Sequence, residues 1–252
     1  MNNSQVGEIV INKIQNMSIF TLQHTMVEIL EHDSELLPVL NRFGIRLGCG
    51  DKTLIQLCEQ NGVSSDFVLA ILNVYHNETY FPERKLSTFD ISPVIQYLVE
   101  THRYYFSYVI PEIENQFGIL KKQKNIQKEL LVVLEKMFIT FKNEYKRHIT
   151  EEENRIFPVI HELWERESID RMFKLKVTSL NLTNIHSRLD DKIIDIKNIL
   201  IKYLPPMDDV NQFNAFAMSI FRFEKDLKDH SRIEERILYP RVEQMLNQKM
   251  EA

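Results

Sequence analysis

Histidine and glutamate occur twice in this chain at a spacing that suits metal binding. His148 is followed by Glu152, and 82 residues later His230 is followed by Glu234. Each copy continues with a second glutamate, an aliphatic residue, an aromatic residue and a proline ten residues after the histidine. On a helix, residues four apart lie one turn apart on the same face. Each copy can therefore direct an imidazole and a carboxylate at one point, and the repetition predicts a shared metal centre.

The donor types narrow down the chemistry of this centre. Imidazole and carboxylate together suit iron, manganese, zinc or copper, whereas the lack of thiolates disfavours a structural zinc or an iron–sulfur site. One glutamate from each copy could bridge two cations about 3.5–4 Å apart, which could bind or activate a small oxidant. The second glutamates, Glu153 and Glu235, are expected to orient ligands or to face solvent rather than to bind metal. The order and spacing differ from the Glu-x-x-His motif of ferritin-like proteins.

Two more histidines reach the same height if the second half of the chain folds as an up-down-up-down helical bundle. In an antiparallel helical hairpin, residues at the same height are equidistant from the turn. The midpoints between successive histidines lie near positions 125, 167 and 208, in polar or proline-containing stretches that favour helix ends. The series is His102, His148, His186 and His230. We therefore add His102 and His186 to the candidate metal ligands.

Composition excludes several classes of protein. Of the 252 residues, 44% are apolar and 27% are charged, which is ordinary for a globular chain. Only six glycines and eight prolines interrupt it, which favours long helices over a turn-rich β architecture. A net charge of −5 provides no basic field for nucleic acid. Two cysteines are too few for a disulfide scaffold and fit a reducing compartment.

We expect no targeting signal from this sequence. The first residues do not show the basic-then-apolar pattern of a signal peptide. No apolar run approaches the roughly 20 residues that a membrane helix needs. We therefore expect a soluble, cytoplasmic protein without a membrane partner.

The apolar pattern divides the chain into two regions. We predict a small helical N-terminal domain at 1–78, a polar linker at 79–92 and a metal-binding helical domain at 93–247. Helical spacing covers 19–31, 34–43, 51–60 and 64–76 in the first region, and 93–117, 126–163, 169–203 and 209–247 in the second. The expected fold class is all-α, with an antiparallel four-helix bundle after a small helical domain.

The two repeated segments that begin at His148 and His230 resemble the hemerythrin-like cation-binding domain, whose repeats share the pattern His-x-x-x-Glu-Glu followed by Phe-Pro. The whole chain looks like the repair-of-iron-centres proteins, in which a short N-terminal domain precedes a hemerythrin-like domain; residues 24–76 and 93–245 carry this resemblance. The resemblance implies a bridged, non-haem pair of iron ions. The implied ligands are His148, Glu152, His186, His230 and Glu234.

The N-terminal domain departs from the family pattern at its cysteines. The family usually has adjacent cysteines before a glycine, whereas Gly48 fills the first place here and only Cys49 remains. Cys49 is thus the candidate redox thiol. We expect no disulfide between Cys49 and Cys58, which should lie on the following helix and face the core of the domain.

The first ligand histidine of the family marks a second departure. It typically lies eight residues before a proline, but His102 lies nine residues before Pro111, and Arg103 occupies the expected place. Arginine is permanently protonated and repelled by a cation, so Arg103 cannot serve as the ligand. We retain His102 as a candidate ligand because it lies at the right height within one residue of that place.

The function implied by the resemblance is the repair of iron–sulfur clusters damaged by nitrosative or oxidative stress, through delivery or exchange of iron. Whether the protein is an enzyme stays open. The expected partners are iron–sulfur client proteins, the gases NO and O2, and a second copy of the chain. Two other hypotheses remain: a sensor or carrier of oxygen or nitric oxide, and a structural helical bundle with a vestigial site. Metal content separates the last from the others, and iron transfer separates repair from sensing.

Overall fold

The computed structural model describes residues 19–86, 88–122, 128–178, 186–203 and 209–249. Over these residues the regular structure is helical, and extended pairing is limited to one bridge between Thr25 and Thr53. The prediction of an all-α chain is confirmed. The chain divides into two compact units between Thr88 and Phe89, a point that falls inside the predicted linker.

The first unit contains five short α-helices within the described residues. They are α1 (Met26–His32), α2 (Leu37–Arg42, after a 3₁₀ turn at Ser34–Leu36), α3 (Leu54–Asn61), α4 (Ser65–His76) and α5 (Glu83–Leu86). The predicted start of the first helix at 19 was wrong, because Thr25 and Glu28 form a capping box that begins α1 at Met26. Residues 19–24 precede it without helical structure. The predicted linker includes the one-turn helix α5, whose Leu86 is buried.

The second unit is built from longer helices. They are α6 (Ile91–Tyr104), α7 (Ile110–Leu120), α8 (Lys128–Glu151), α9 (Phe157–Glu165), α10 (Arg171–Thr178), α11 (His186–Lys202), α12 (Val210–Ile233) and α13 (Tyr239–Gln248). The predicted segment 169–203 corresponds to α10 and α11, and residues 179–185 between them lie outside the described part of the chain. No helix within the described ranges has the length and apolar character needed to cross a membrane.

Three α-helices of this unit continue into the next helix through a single widened π turn. These turns are Tyr105–Val109, Glu152–Ile156 and Glu234–Leu238. Each is followed by a helix with proline at its second position, namely Pro111, Pro158 and Pro240. Proline has no N–H for the carbonyl four residues earlier, and its ring pushes that carbonyl away, so the helix widens there. The proline of each repeated segment therefore explains the π turn that begins at its glutamate.

The core of the second unit lies among four helices that form a closed ring of neighbours. α11 packs against α8 and α12, α12 packs against α7, and α7 packs against α8. Aromatic side chains fill the interior, with Phe117 meeting Phe216 at 4.6 Å and Phe141 meeting Phe223 at 5.8 Å between ring centroids. Beyond this core, α9 packs against α13 and α6. The repeated His/Glu segments lie at the two junctions between these groups, where α8 continues into α9 and α12 continues into α13.

Candidate metal centre

The two repeated segments place their histidine and glutamate side chains as the i, i+4 spacing predicts. His148 Nε2 lies 3.2 Å from Glu152 Oε1, and His230 Nε2 lies 3.3 Å from Glu234 Oε1. Each histidine lies in the last turn of a long α-helix, and each glutamate begins the π turn that follows. Both glutamates are fully buried. The local geometry therefore directs two imidazoles and two carboxylates into the interior of the second unit.

His102 joins this group from α6. Its Nε2 lies 3.2 Å from His230 Nε2 and 3.6 Å from Glu152 Oε2, and the residue is only 1% exposed. The neighbouring Arg103 points the other way, with its guanidinium 2.6 Å from Glu100 Oε1 and its side chain 65% exposed. The one-residue displacement of His102 in the sequence thus does not keep its imidazole from the site.

Five buried side chains form two potential metal-binding groups that share one carboxylate. The first group is His102, His230 and Glu234, and the second is His148, Glu152 and Glu234; within each, the ligand atoms lie within 4.8 Å of one another. Burying carboxylates is costly unless they are paired or coordinate a metal. Imidazole nitrogen and carboxylate oxygen are donors that suit iron, manganese and zinc. The described side chains could therefore hold a metal ion, and Glu234 belongs to both groups.

Glu153 and Glu235, which follow the candidate ligands directly, differ from each other in their surroundings. Glu153 Oε1 lies 2.9 Å from His102 Nδ1. A carboxylate at that distance keeps the proton on Nδ1 and leaves the Nε2 lone pair directed into the site, as the outer partners of metal-bound histidines do. Glu235 is exposed. Glu153 thus takes the orienting role that the sequence suggested for this pair of residues.

The aromatic residue of each repeat also contacts the site, but in a different way. Phe157 stacks on His102, with ring centroids 6.0 Å apart and planes 9° from parallel. Tyr239, its counterpart, donates from its hydroxyl to Glu152 Oε1 at 3.5 Å. Burial, followed by the charges of Glu234 and Glu152, raises the pKa of Tyr239 far above its usual range, so the hydroxyl stays protonated and can only donate to a carboxylate. The two halves of the site are therefore not chemically equivalent.

Two tyrosines that the sequence analysis did not single out contact the rings of His148 and His230. The ring of Tyr105 is 5.9 Å from that of His230, and the ring of Tyr145 is 6.1 Å from that of His148. A signal for Tyr145 was present in the sequence, because a residue three positions before His148 shares its helix face. Tyr105 lies three positions after His102, so the same spacing was present there as well, although Tyr105 opens a π turn.

His186, the remaining predicted ligand, begins α11, and its side chain lies outside the described residues. Asp190 follows it at the same four-residue spacing that relates His148 to Glu152. The charge of Asp190 is one of the smaller causes of the raised pKa of Tyr145, after burial and the charges of Glu234 and Glu152. The His186–Asp190 spacing is a third histidine–acid pair that the sequence analysis did not use.

Both cysteines belong to the first unit and are free thiols. Cys49 is partly exposed in a loop between Gly48 and Gly50, whose φ angles of 85° and 66° favour glycine. Cys58 lies on α3 and is fully buried, as predicted. Burial, with a smaller contribution from Glu59, raises the pKa of the Cys58 thiol to about 11.

Alkylation should therefore separate the two thiols. At pH 8 a thiol with a pKa of about 11 is ionised in only about one molecule in a thousand, and the thiolate is the reactive form. We expect iodoacetamide to modify Cys49 and to leave Cys58 unmodified in the folded protein, as read by peptide mass spectrometry. Denatured protein, in which both residues should react, is the control. Rapid modification of Cys58 in the native protein would contradict its burial.

No protein-family model matches this chain, and no curated protein matches it either.

Proposed function

We propose that the second unit is a hemerythrin-like, antiparallel four-helix bundle that holds a non-haem di-iron centre, and that the protein repairs iron–sulfur clusters damaged by nitrosative or oxidative stress through iron handling. One observation carries this proposal: two buried His/Glu groups converge and share Glu234. The closed ring of α7, α8, α11 and α12 supports the bundle, because each helix packs against two neighbours in that ring.

The described residues divide naturally between two metal positions. His102 and His230 would hold one ion, His148 and Glu152 the other, and Glu234 would bridge them. The sequence adds His186 as a further ligand for one of the two. Bound iron would supply one-electron chemistry and affinity for small oxygen- and nitrogen-containing ligands.

The donor set favours iron that can be exchanged. Two carboxylates offset only two of the at least four positive charges on a pair of ions, and the remaining described donors are neutral imidazoles. The described candidate ligands are histidines and glutamates, which are harder donors than thiolates. A centre of this kind suits the delivery of iron to a damaged cluster better than a structural role, in which the metal would stay bound.

Transfer of iron tests this function directly. The iron-loaded protein should restore the activity of a dehydratase whose [4Fe–4S] cluster has been damaged by nitric oxide, in the presence of a thiol reductant. The Glu152→Ala/Glu234→Ala double variant, treated with the same iron and desalted, is the control. Recovery that is equal with the two proteins would refute iron delivery from this site.

Reversible binding of oxygen or nitric oxide is a second candidate function. It is favoured by a specific observation, the buried hydroxyl of Tyr145, which has no hydrogen-bond partner among the described residues. A protein that binds nitric oxide reversibly and retains its iron in the transfer assay would favour sensing over repair.

A further inference from the structure

Tyr105 and Tyr145 form the floor of the candidate metal centre. Their rings lie 6.0 Å apart, and the residues are 0% and 2% exposed. Tyr105 faces the ring of His230, and Tyr145 lies beside that of His148. The two phenols therefore close the site on the side of the aromatic core.

The two hydroxyl groups differ in their hydrogen bonds. The Tyr105 hydroxyl donates to Asp226 Oδ1 at 2.8 Å. The Tyr145 hydroxyl is fully buried and has no hydrogen-bond partner in the part of the chain that the structure describes. A buried polar group without a partner is costly, and native proteins retain such groups mainly where a ligand, water or ion completes them.

The state of the Tyr145 hydroxyl determines what it can bind. A phenol ordinarily has a pKa of about 10. The hydroxyl therefore stays protonated at physiological pH and is available as a donor. Its complement is a small ligand with an acceptor lone pair.

We propose that the Tyr145 hydroxyl donates a hydrogen bond to a small anionic or oxygen-containing ligand held at the metal pair beside Glu152 and Glu234. This inference rests on the proposed function, because the bound metal provides the positive charge that holds such a ligand against two carboxylates. Tyr145 is thus a positioning residue that favours ligands able to accept a hydrogen bond. Tyr105, whose hydroxyl is engaged with Asp226, provides the matched control.

Azide is the probe that tests the proposal. Optical titration of the ferric protein with azide should give a dissociation constant about 10–100-fold higher for Tyr145→Phe than for the unaltered protein, which corresponds to the loss of one hydrogen bond to a charged acceptor. Tyr105→Phe should change it by less than about threefold. Iron content, determined on the same samples, should be equal in all three proteins.

Thermal unfolding of the metal-free variants shows whether they fold. Tyr145→Phe removes a buried hydroxyl that has no described partner, so its unfolding midpoint should stay the same or rise. Tyr105→Phe removes the donor to Asp226, so its midpoint should fall. These opposite changes in the unfolding midpoint are expected whether or not the proteins bind azide.

The outcomes separate this inference from the proposed function. Equal azide affinity of the unaltered protein and Tyr145→Phe, at equal iron content, overturns the inference and leaves the metal centre intact. Loss of iron from Tyr145→Phe also overturns it, because the hydroxyl would then serve metal retention. An unaltered protein that retains no metal overturns both.

Discussion

Replacing Glu234 by alanine is expected to abolish iron binding, lowering the retained iron from about two ions per chain to near none. Glu234 is the carboxylate that belongs to both groups of candidate ligands. Its loss leaves each group with two donors and removes the bridge between them. Iron retained after loading and desalting, measured by plasma mass spectrometry, gives the result.

Glu235→Ala is the matched control for this variant. The two glutamates are adjacent, but Glu235 is exposed whereas Glu234 is fully buried. Iron content should therefore stay at about two ions per chain in Glu235→Ala. Equal losses in the two variants would mean that the π turn does not present Glu234 to the metals. One ion retained by Glu234→Ala would mean that this carboxylate serves a single metal.

Replacing His102 by alanine is expected to remove about one ion per chain and to leave the second in place. His102 contributes to only one of the two groups, together with His230 and Glu234. Arg103→Ala, next to it and directed towards Glu100 at the surface, should retain both ions. Glu153→Gln should weaken iron binding about 10–100-fold, because a neutral amide oxygen accepts a weaker hydrogen bond from His102 Nδ1–H than a carboxylate does.

Iron titrations with a competing chelator distinguish these results. An unchanged stoichiometry in His102→Ala would exclude His102 as a ligand and leave its contact with Glu153 as a structural hydrogen bond. Loss of iron from Arg103→Ala to the same extent as from His102→Ala would indicate a general disturbance of α6 instead of the loss of one donor.

The histidine–glutamate pairs could be predicted from the sequence because they depend on local geometry alone. Four residues make about one turn of a helix, so His148 and Glu152 share a face in any helix that contains them. The all-α fold class follows from periodic apolar spacing and few glycines in the same way. The boundary of α1 could not be predicted from apolar spacing, because the capping box of Thr25 overrides it.

The π turns and the floor of the site depend on information that a regular helical pattern does not contain. A π turn adds a residue to one turn, so a search for 3.6-residue periodicity passes over it, although Pro158 and Pro240 mark its position. The pairing of His102 with Glu153 joins residues 51 positions apart, so it requires the packed structure. Tyr145 shares a helix face with His148, but the burial of its hydroxyl without a described hydrogen-bond partner is apparent only in the packed structure.

Iron content of the protein purified without chelators is the measurement that tests the central claim most directly. We predict about two iron ions per chain, and near none in the Glu152→Ala/Glu234→Ala double variant purified in the same way. Retention of iron by the double variant at the level of the unaltered protein, or an unaltered protein that retains no transition metal after loading, would contradict a di-iron centre at these residues.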